Sequence, residues 1–366
     1  MNQRSTLFDS VKGIAIFGIM FIHLGSWLLK PEEGSTFATL TTAGLLGVEL
    51  TFIVNAYFLA KHFDKYRYEK LEGWLYITKS FLKIIPIYWL ALIVYWLSLK
   101  ISVGSCPLDY LNILSHFLFL NALNPQWWID FMGGSGYFGI IALMWIIFPL
   151  YMKVAKNLRI ALFFTVMVVF VTSYVEDFVI QINENFKLYK SHDVNVWIWY
   201  IKRGLDCYAI GIVLYYLSNL KLRIFETHRN IKQLLIYVVL SYIAYKCATK
   251  GGAFDGVRFS ILSCVIIVLA FNEKITIIDN PILVFLGRNI TELFVLHVIL
   301  YYIFVDHHKI LVPGVFAFFI LFGLSLLLAP FLRNTISIPL GNFLCNRYSS
   351  FLSKIVYKKS LLSKII

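Results

Sequence analysis

Charged side chains are scarce in this sequence, and their scarcity excludes an ordinary soluble domain. Only 14% of the 366 residues are Asp, Glu, Lys or Arg, whereas soluble domains average about 25%. The five cysteines contain no C-x-x-C pair, so the sequence predicts neither a disulfide framework nor a metal site. Acidic residues are the rarer charged class, with 20 against 33 Lys and Arg, which leaves a formal net charge of +13.

Long apolar runs fill most of the remaining sequence. Hydrophobic residues make up 59% of the chain, and the mean hydropathy is +0.75. Because a bilayer is crossed by roughly 20 apolar residues in a helix, these runs predict an all-α, polytopic membrane helix bundle with about ten transmembrane helices. The predicted spans are 13–29, 43–60, 79–98, 136–152, 158–174, 197–217, 231–247, 257–271, 287–305 and 312–332.

The basic residues lie between the apolar runs. This position predicts that they contact the anionic headgroups of the lipid bilayer and not nucleic acid. With about ten spans most Lys and Arg fall on one side, which the positive-inside rule makes cytoplasmic, with both termini inside. This bias requires that residues 111–123 do not cross, and we interpret them as re-entrant or packed against the bundle. The chain then divides into a transmembrane domain, 1–333, and a basic amphipathic cytoplasmic tail, 334–366.

The first apolar run, within DSVKGIAIFGIMFIH, contains two ionisable residues. Lys12 and His23 are separated by about 16 Å, or roughly three turns, along a straight helix, so both point to nearly the same side. Taken singly, Lys12 could reach the headgroups and His23 could hydrogen-bond a neighbouring helix. Together they predict a site in which Lys12 holds an anionic group at the cytoplasmic mouth and His23 acts as a base deeper in the bundle.

Other polar residues in the apolar runs extend this hypothesis. Glu49, level with His23 in the second span, is either an interfacial acid or the carboxylate that orients the imidazole. Lys79 and Lys83 share a helix face at the cytoplasmic edge, where they follow the positive-inside bias or form a cationic mouth for phosphates. His297, several turns into the ninth span, is a site residue or equally a packed core histidine.

Five segments follow one another in an order known from one family of membrane enzymes. The first helix has the pattern D-x-x-[RK]-G with a later histidine, the R/K-x10-H arrangement, at Asp9, Lys12, Gly13 and His23. The later segments are GVELTFIVNAYFLAKH (47–62), LKIIPIYW (82–89), GYFGIIALMWIIFPLY (136–151) and FLGRNITELFVLH (285–297). In this order the chain resembles acyltransferase family 3, the integral membrane acyltransferases of the polysaccharide O-acetyltransferase type.

The resemblance implies a reaction and a donor. It implies that the chain transfers an acyl group, usually acetyl from acetyl-CoA as co-substrate, to a hydroxyl of an extracytoplasmic or lipid-linked glycan such as O-antigen, capsule or exopolysaccharide. Lys12 would bind the coenzyme, with Lys79 and Lys83 beside it at the mouth. His23 would be catalytic, either as general base or as acyl carrier. The location implied is the bacterial cytoplasmic (inner) membrane.

The resemblance also implies an acceptor side and shows where the chain departs from the family. The glycan would enter from the outer face, near Glu49 and Arg258, and Asn55 is predicted to contact it. Asn55-Ala56 replaces the usual Ser-Gly of the second motif, and Lys83 replaces the usual arginine of the third. Ile141 stands roughly where many members have a glutamate, so no role for that acid is carried over.

Two other classes of protein remain open from the residues alone. A transporter or flippase for lipid-linked sugars would also need intramembrane charge and aromatic surfaces, although the chain has no detectable internal repeat. A membrane-embedded structural or immunity protein would not need Lys12 and His23 in register. Consumption of acetyl-CoA would separate the first class from the other two, and the sequence leaves the oligomeric state open.

Overall fold

The apolar runs form α-helices in a computed structural model that describes residues 3–65, 70–104, 109–128, 132, 134–220, 229–253, 255–271 and 280–362. Within these ranges there is no β-strand, so the predicted all-α class is confirmed. The α-helices are α1 (Gln3–Leu24), α2 (Thr36–Thr42), α3 (Leu46–Lys65), α4 (Lys70–Val103), α5 (Tyr110–Phe117), α6 (Ser135–Val154), α7 (Leu158–Phe186), α8 (Ser191–Ser218), α9 (Arg229–Lys250), α10 (Gly256–Ala270), α11 (Pro281–Arg288), α12 (Ile290–Tyr301), α13 (Val315–Leu332) and α14 (Ile338–Leu362).

Eight helical segments of the described ranges are long and apolar enough to cross a membrane. These segments are Thr6–Leu29, Thr36–Lys65, Gly73–Ser102, Ser135–Val154, Leu158–Phe186, Asn230–Lys250, Ile290–His307 and Val315–Leu352. Two predicted spans are helical but are not among the eight: α8 carries Lys202, Arg203 and Asp206, and α10 has only 15 residues. The protein is therefore a multi-pass membrane helix bundle, while the count of ten and the cytoplasmic termini remain predictions.

The bundle has a fully enclosed centre and an apolar outer surface. Nearly every residue of α3 from Leu46 to Ala60 is buried, as expected of a helix that is hydrophobic all round. On the outside, Phe163, Val166 and Phe170 of α7 are each at least 66% exposed. An apolar surface of this kind is stable against lipid and not against water.

Residues 111–123 do not form a span of their own. α5 has eight residues, about 12 Å of helix, whereas the hydrocarbon core is about 30 Å thick. The stretch is tied to the bundle by two indole donors: Trp89 Nε1 donates to the carbonyl oxygen of Phe117 at 2.9 Å, and Trp197 Nε1 to that of Ala122 at 2.7 Å. The stretch therefore packs against the bundle, as one of the two predicted alternatives has it, while its position relative to the membrane remains a prediction.

The predicted tail begins as an ordered helix against α4. The Cys345 thiol of α14 donates to the carbonyl oxygen of Lys79 at 3.5 Å, and Gly341 brings the backbones of α14 and α4 close together at Lys83. Lys364 and the side chains of Lys354, Lys358 and Lys359 lie outside the described residues. The amphipathic character of the tail thus remains a prediction.

The predicted orientation can be tested on either side of α7. A reporter fused after Arg159 is expected to report the cytoplasm, and one fused at Asn185 the outside, because basic residues precede this helix and few follow it. The measurement is paired phosphatase and fluorescent-protein fusions. An outside location for Arg159 would show that residues 111–123 cross and that the orientation is wrong.

Candidate active site

Lys12 and His23 lie on one unbroken helix. α1 runs from Gln3 to Leu24 and then widens into a π-helix, Gly25–Leu29. The expected separation of about 16 Å along the axis therefore applies without a kink between them.

The residues around Lys12 dock α1 on α11. A side chain at Gly13 would collide with the carbonyl oxygen of Leu283, and one at Gly287 with that of Asp9, so both glycines permit close backbone contact. The Asp9 carboxylate accepts a charge-assisted hydrogen bond from Arg288 Nε at 3.2 Å. Asp9 and Gly13 of the first motif thus hold α1 against α11. Lys12 lies between them in the sequence and lines a cavity.

The Lys12 cavity is a space of about 380 Å³ bounded by α1, α3, α4, α6 and α12. Its polar wall includes Thr51, Asn55, Tyr76 and Thr291, and Lys12 is the only charged side chain among its described lining residues. The ammonium lies 5.0 Å from the centroid of the Phe58 ring. A single cation among neutral hydrogen-bonding groups suits an anionic ligand.

The structure does not place the other two predicted coenzyme lysines in this wall. α4 contributes Tyr76 and Ile84 to the Lys12 cavity, whereas Lys79 and Lys83 are not among its lining residues. Lys83 is exposed, and the carbonyl oxygen of Lys79 accepts a hydrogen bond from the Cys345 thiol of α14. They lie on a neighbouring part of α4, beside the cavity and not in it.

The His23 cavity is a smaller space, about 210 Å³, further along α1. Glycines and aromatic rings form much of its wall: Gly136 lies directly against the Trp128 indole, and the Trp128 and Tyr200 rings are 5.2 Å apart. The imidazole of His23 stacks on the Trp27 ring at 4.9 Å. His23 is thus held as a half-buried side chain on the wall of an aromatic pocket.

His297 is the hydrogen-bond partner of His23. Nδ1 of His23 lies 3.0 Å from Nε2 of His297, which is fully buried, and Nδ1 of His297 lies 2.8 Å from the carbonyl oxygen of Leu293. The sequence marked His297 but left open whether it was a packed core residue. The observation that places His297 in the site is its contact with the His23 ring. The two residues are 274 positions apart, so no local sequence pattern indicates this contact.

Tyr137 and Phe294 line both cavities and separate them. Their ring centroids are 4.6 Å apart, and the Tyr137 hydroxyl donates to Thr51 Oγ1 at 2.7 Å. Phe294 also meets the His297 ring edge-on at 5.9 Å. A molecule that occupies both cavities would therefore contact these two rings.

The structure does not bring Glu49 to His23. The fully buried Glu49 carboxylate forms an ion pair with Arg203 of α8, whose guanidinium lies 3.6 Å from the Trp199 ring centroid. Consecutive residues on a helix differ by about 100° in direction, so Val48 lines the His23 cavity while Glu49 lines a separate cavity of about 460 Å³. Glu49 is thus paired with Arg203, and the described residue that hydrogen-bonds the His23 ring is His297.

The two predicted acceptor residues lie apart from the His23 cavity. Asn55 lines the Lys12 cavity, where its Oδ1 accepts a hydrogen bond from Trp145 Nε1 at 3.1 Å. Arg258 is exposed at the start of α10 and lies 3.6 Å from the Asp255 carboxylate. The acceptor contact proposed for each remains a prediction.

The fold and the site together define a multi-pass membrane protein with a lysine and a histidine in adjoining intramembrane cavities. The family model described as an acyltransferase domain, Acyl_transf_3, matches residues 7–333. The chain belongs to this acyltransferase family and is a membrane acyltransferase. Comparisons with curated proteins and with solved structures give no significant match.

Proposed function

We propose that the protein is an acetyl-CoA-dependent O-acetyltransferase of a bacterial cytoplasmic membrane. It moves the acetyl group from cytoplasmic coenzyme to a hydroxyl of an extracytoplasmic or lipid-linked glycan. The observation that carries the proposal is the pair of cavities along α1, one with Lys12 and one with His23, which adjoin at Tyr137 and Phe294. The axial distance of about 16 Å between the two side chains is similar to the reach of an extended pantetheine arm.

The Lys12 cavity supports a role in donor binding. Small-molecule sites usually enclose about 300–1,000 Å³, and this cavity, at about 380 Å³, is near the lower limit. It has room for a phosphate and the start of the arm, with the bulky nucleotide at its mouth. Lys12 supplies the charge for the phosphate, while Thr51 and Thr291 offer hydroxyls for the polar groups of the arm.

The His23 cavity supports a role in acetyl transfer. As a general base, His23 takes the proton of the glycan hydroxyl, the oxygen attacks the thioester carbonyl, and the C–S bond breaks. The imidazolium then returns its proton to the coenzyme thiolate. As a carrier, a ring nitrogen attacks first and releases the thiolate. The glycan oxygen then takes the acetyl group from the ring, and the hydroxyl proton goes to the coenzyme thiolate.

We expect the Tyr137 and Phe294 rings between the two cavities to limit the access of water to the thioester. Phe294→Leu removes one of the two rings, so water should pass more readily to the thioester and acetyl-CoA hydrolysis without acceptor should rise several-fold. Coenzyme release by purified protein, measured with a thiol reagent, gives the rate. The matched control is Phe318→Leu, a substitution of a buried phenylalanine outside both cavity walls. Equal hydrolysis by the two variants would contradict a barrier function for Phe294.

The transferase proposal is tested with purified protein in nanodiscs, radiolabelled acetyl-CoA and membrane glycan extracted from the producing organism. Alkali-labile label on the glycan is the expected result, because oxygen esters are cleaved by base. Acetyl-CoA left intact in the presence of the glycan would contradict the proposed donor and acceptor.

A further inference from the structure

The His23–His297 contact determines where the protons lie on both rings. The carbonyl oxygen of Leu293 can only accept a hydrogen bond, so Nδ1 of His297 must carry a proton. A fully buried imidazole without a counter-charge is most stable when neutral, and a neutral ring has one donor and one acceptor nitrogen. Nε2 of His297 is therefore the acceptor, which makes Nδ1 of His23 the donor.

The same contact selects one nitrogen of His23 for chemistry. With its proton on Nδ1, neutral His23 has its lone pair on Nε2. Nδ1 is engaged with His297, so Nε2 is the ring nitrogen left to meet a ligand in the cavity that His23 lines. The stack on Trp27 and the edge of Phe294 against His297 restrict rotation of both rings.

We propose that His297 is a positioning residue that fixes His23 in the Nδ1–H tautomer, so that Nε2 accepts the hydroxyl proton or the acetyl group. This inference rests on the proposed function. When Nε2 takes up a proton or an acyl group, the ring becomes positively charged, and the lone pair on Nε2 of His297 stabilises the charge through the existing hydrogen bond. A neutral partner does this without adding a buried negative charge to the apolar core.

Two substitutions separate positioning from packing. His297→Leu fills the space but accepts no hydrogen bond, so kcat should fall on the order of 10²-fold, less than the ~10⁴ lost when a triad carboxylate is neutralised. The apparent KM for acetyl-CoA should stay unchanged, because the Lys12 cavity is intact. His297→Gln presents an amide oxygen to Nδ1 of His23 and should recover most of the lost kcat.

The matched control is His116→Leu. His116 is as fully buried as His297 but lines neither the Lys12 nor the His23 cavity. Its substitution tests the general effect of removing a buried imidazole, and kcat per folded molecule should be unchanged. Equal losses in His297→Leu and His297→Gln, or an unchanged kcat in His297→Leu, would overturn the positioning role.

A second measurement does not depend on activity. Solid-state nitrogen NMR of histidine-labelled protein, with the His23 signals identified by their loss in His23→Ala, distinguishes protonated from unprotonated ring nitrogens. We expect protonated Nδ1 and unprotonated Nε2 on His23 in the wild type, and a mixture of tautomers in His297→Leu. A protonated Nε2 on neutral wild-type His23 would overturn the inference, even if His297→Leu does not fold. A wild type that consumes no acetyl-CoA would instead contradict the proposed function, whatever the NMR result.

Discussion

His23→Ala is expected to abolish detectable acetylation of the glycan. Loss of a general base typically costs about 10²–10⁴-fold in rate, and loss of a covalent carrier can cost more. The variant should still insert, because it removes an expensive polar group from an apolar helix. The measurement is alkali-labile label on the membrane glycan, with expression and folding checked by size-exclusion chromatography.

The matched control for this result is His308→Ala. His308 is exposed and contacts Ser98 Oγ at 3.2 Å, away from both cavity walls, so its removal should leave acetylation intact. Purified wild-type protein distinguishes the two proposed roles of His23, general base and acyl carrier. Acetyl-histidine should accumulate from acetyl-CoA without acceptor only if His23 is the carrier. Near-normal acetylation by His23→Ala would show that the histidine is a packing residue.

Lys12→Ala is expected to weaken use of acetyl-CoA with less effect on folding. A hydrogen bond to a charged group contributes about 1.5–3 kcal/mol, so the apparent KM should rise about 10- to 100-fold. Lys12→Arg should retain substantial activity, because it keeps a cation that binds phosphate. The measurement is the dependence of initial rate on acetyl-CoA concentration.

Two further lysine variants, Lys79→Ala and Lys83→Ala, are compared with Lys12→Ala because each also removes one positive charge. Because neither residue lines the Lys12 cavity, each should raise the apparent KM less than Lys12→Ala does. If either has the larger effect, the phosphate is bound at the edge of α4 and not beside Lys12. An inactive Lys12→Arg protein at normal expression would point to proton transfer by the lysine.

Hydrophobic length was sufficient to predict the helical class, and each of the ten predicted spans falls mainly on helical residues, eight of them on segments long and apolar enough to cross a membrane. Lipid requires each crossing segment to satisfy its own backbone hydrogen bonds, so an apolar run of sufficient length has almost no alternative to a helix. The limits were less accurate: α4 begins nine residues before the predicted span, so Pro86 lies well inside the helix.

The partners of the intramembrane residues could not be predicted in the same way. Helical periodicity shows that Lys12 and His23 share a face of α1, but not which residues of other helices meet that face. His23 contacts His297 from α12, and Glu49 pairs with Arg203 from α8. Both contacts depend on how distant helices are rotated and packed in the bundle, which a local sequence pattern does not specify.

The most direct test of transfer across the membrane uses sealed inside-out membrane vesicles from the producing organism, with radiolabelled acetyl-CoA added outside. The cytoplasmic face then meets the coenzyme, while the glycan lies in the lumen. We expect alkali-labile label on lumenal glycan with the wild type and none with His23→Ala, and no labelling in right-side-out vesicles. Equal labelling in inside-out vesicles from wild-type and His23→Ala cells would contradict this expectation.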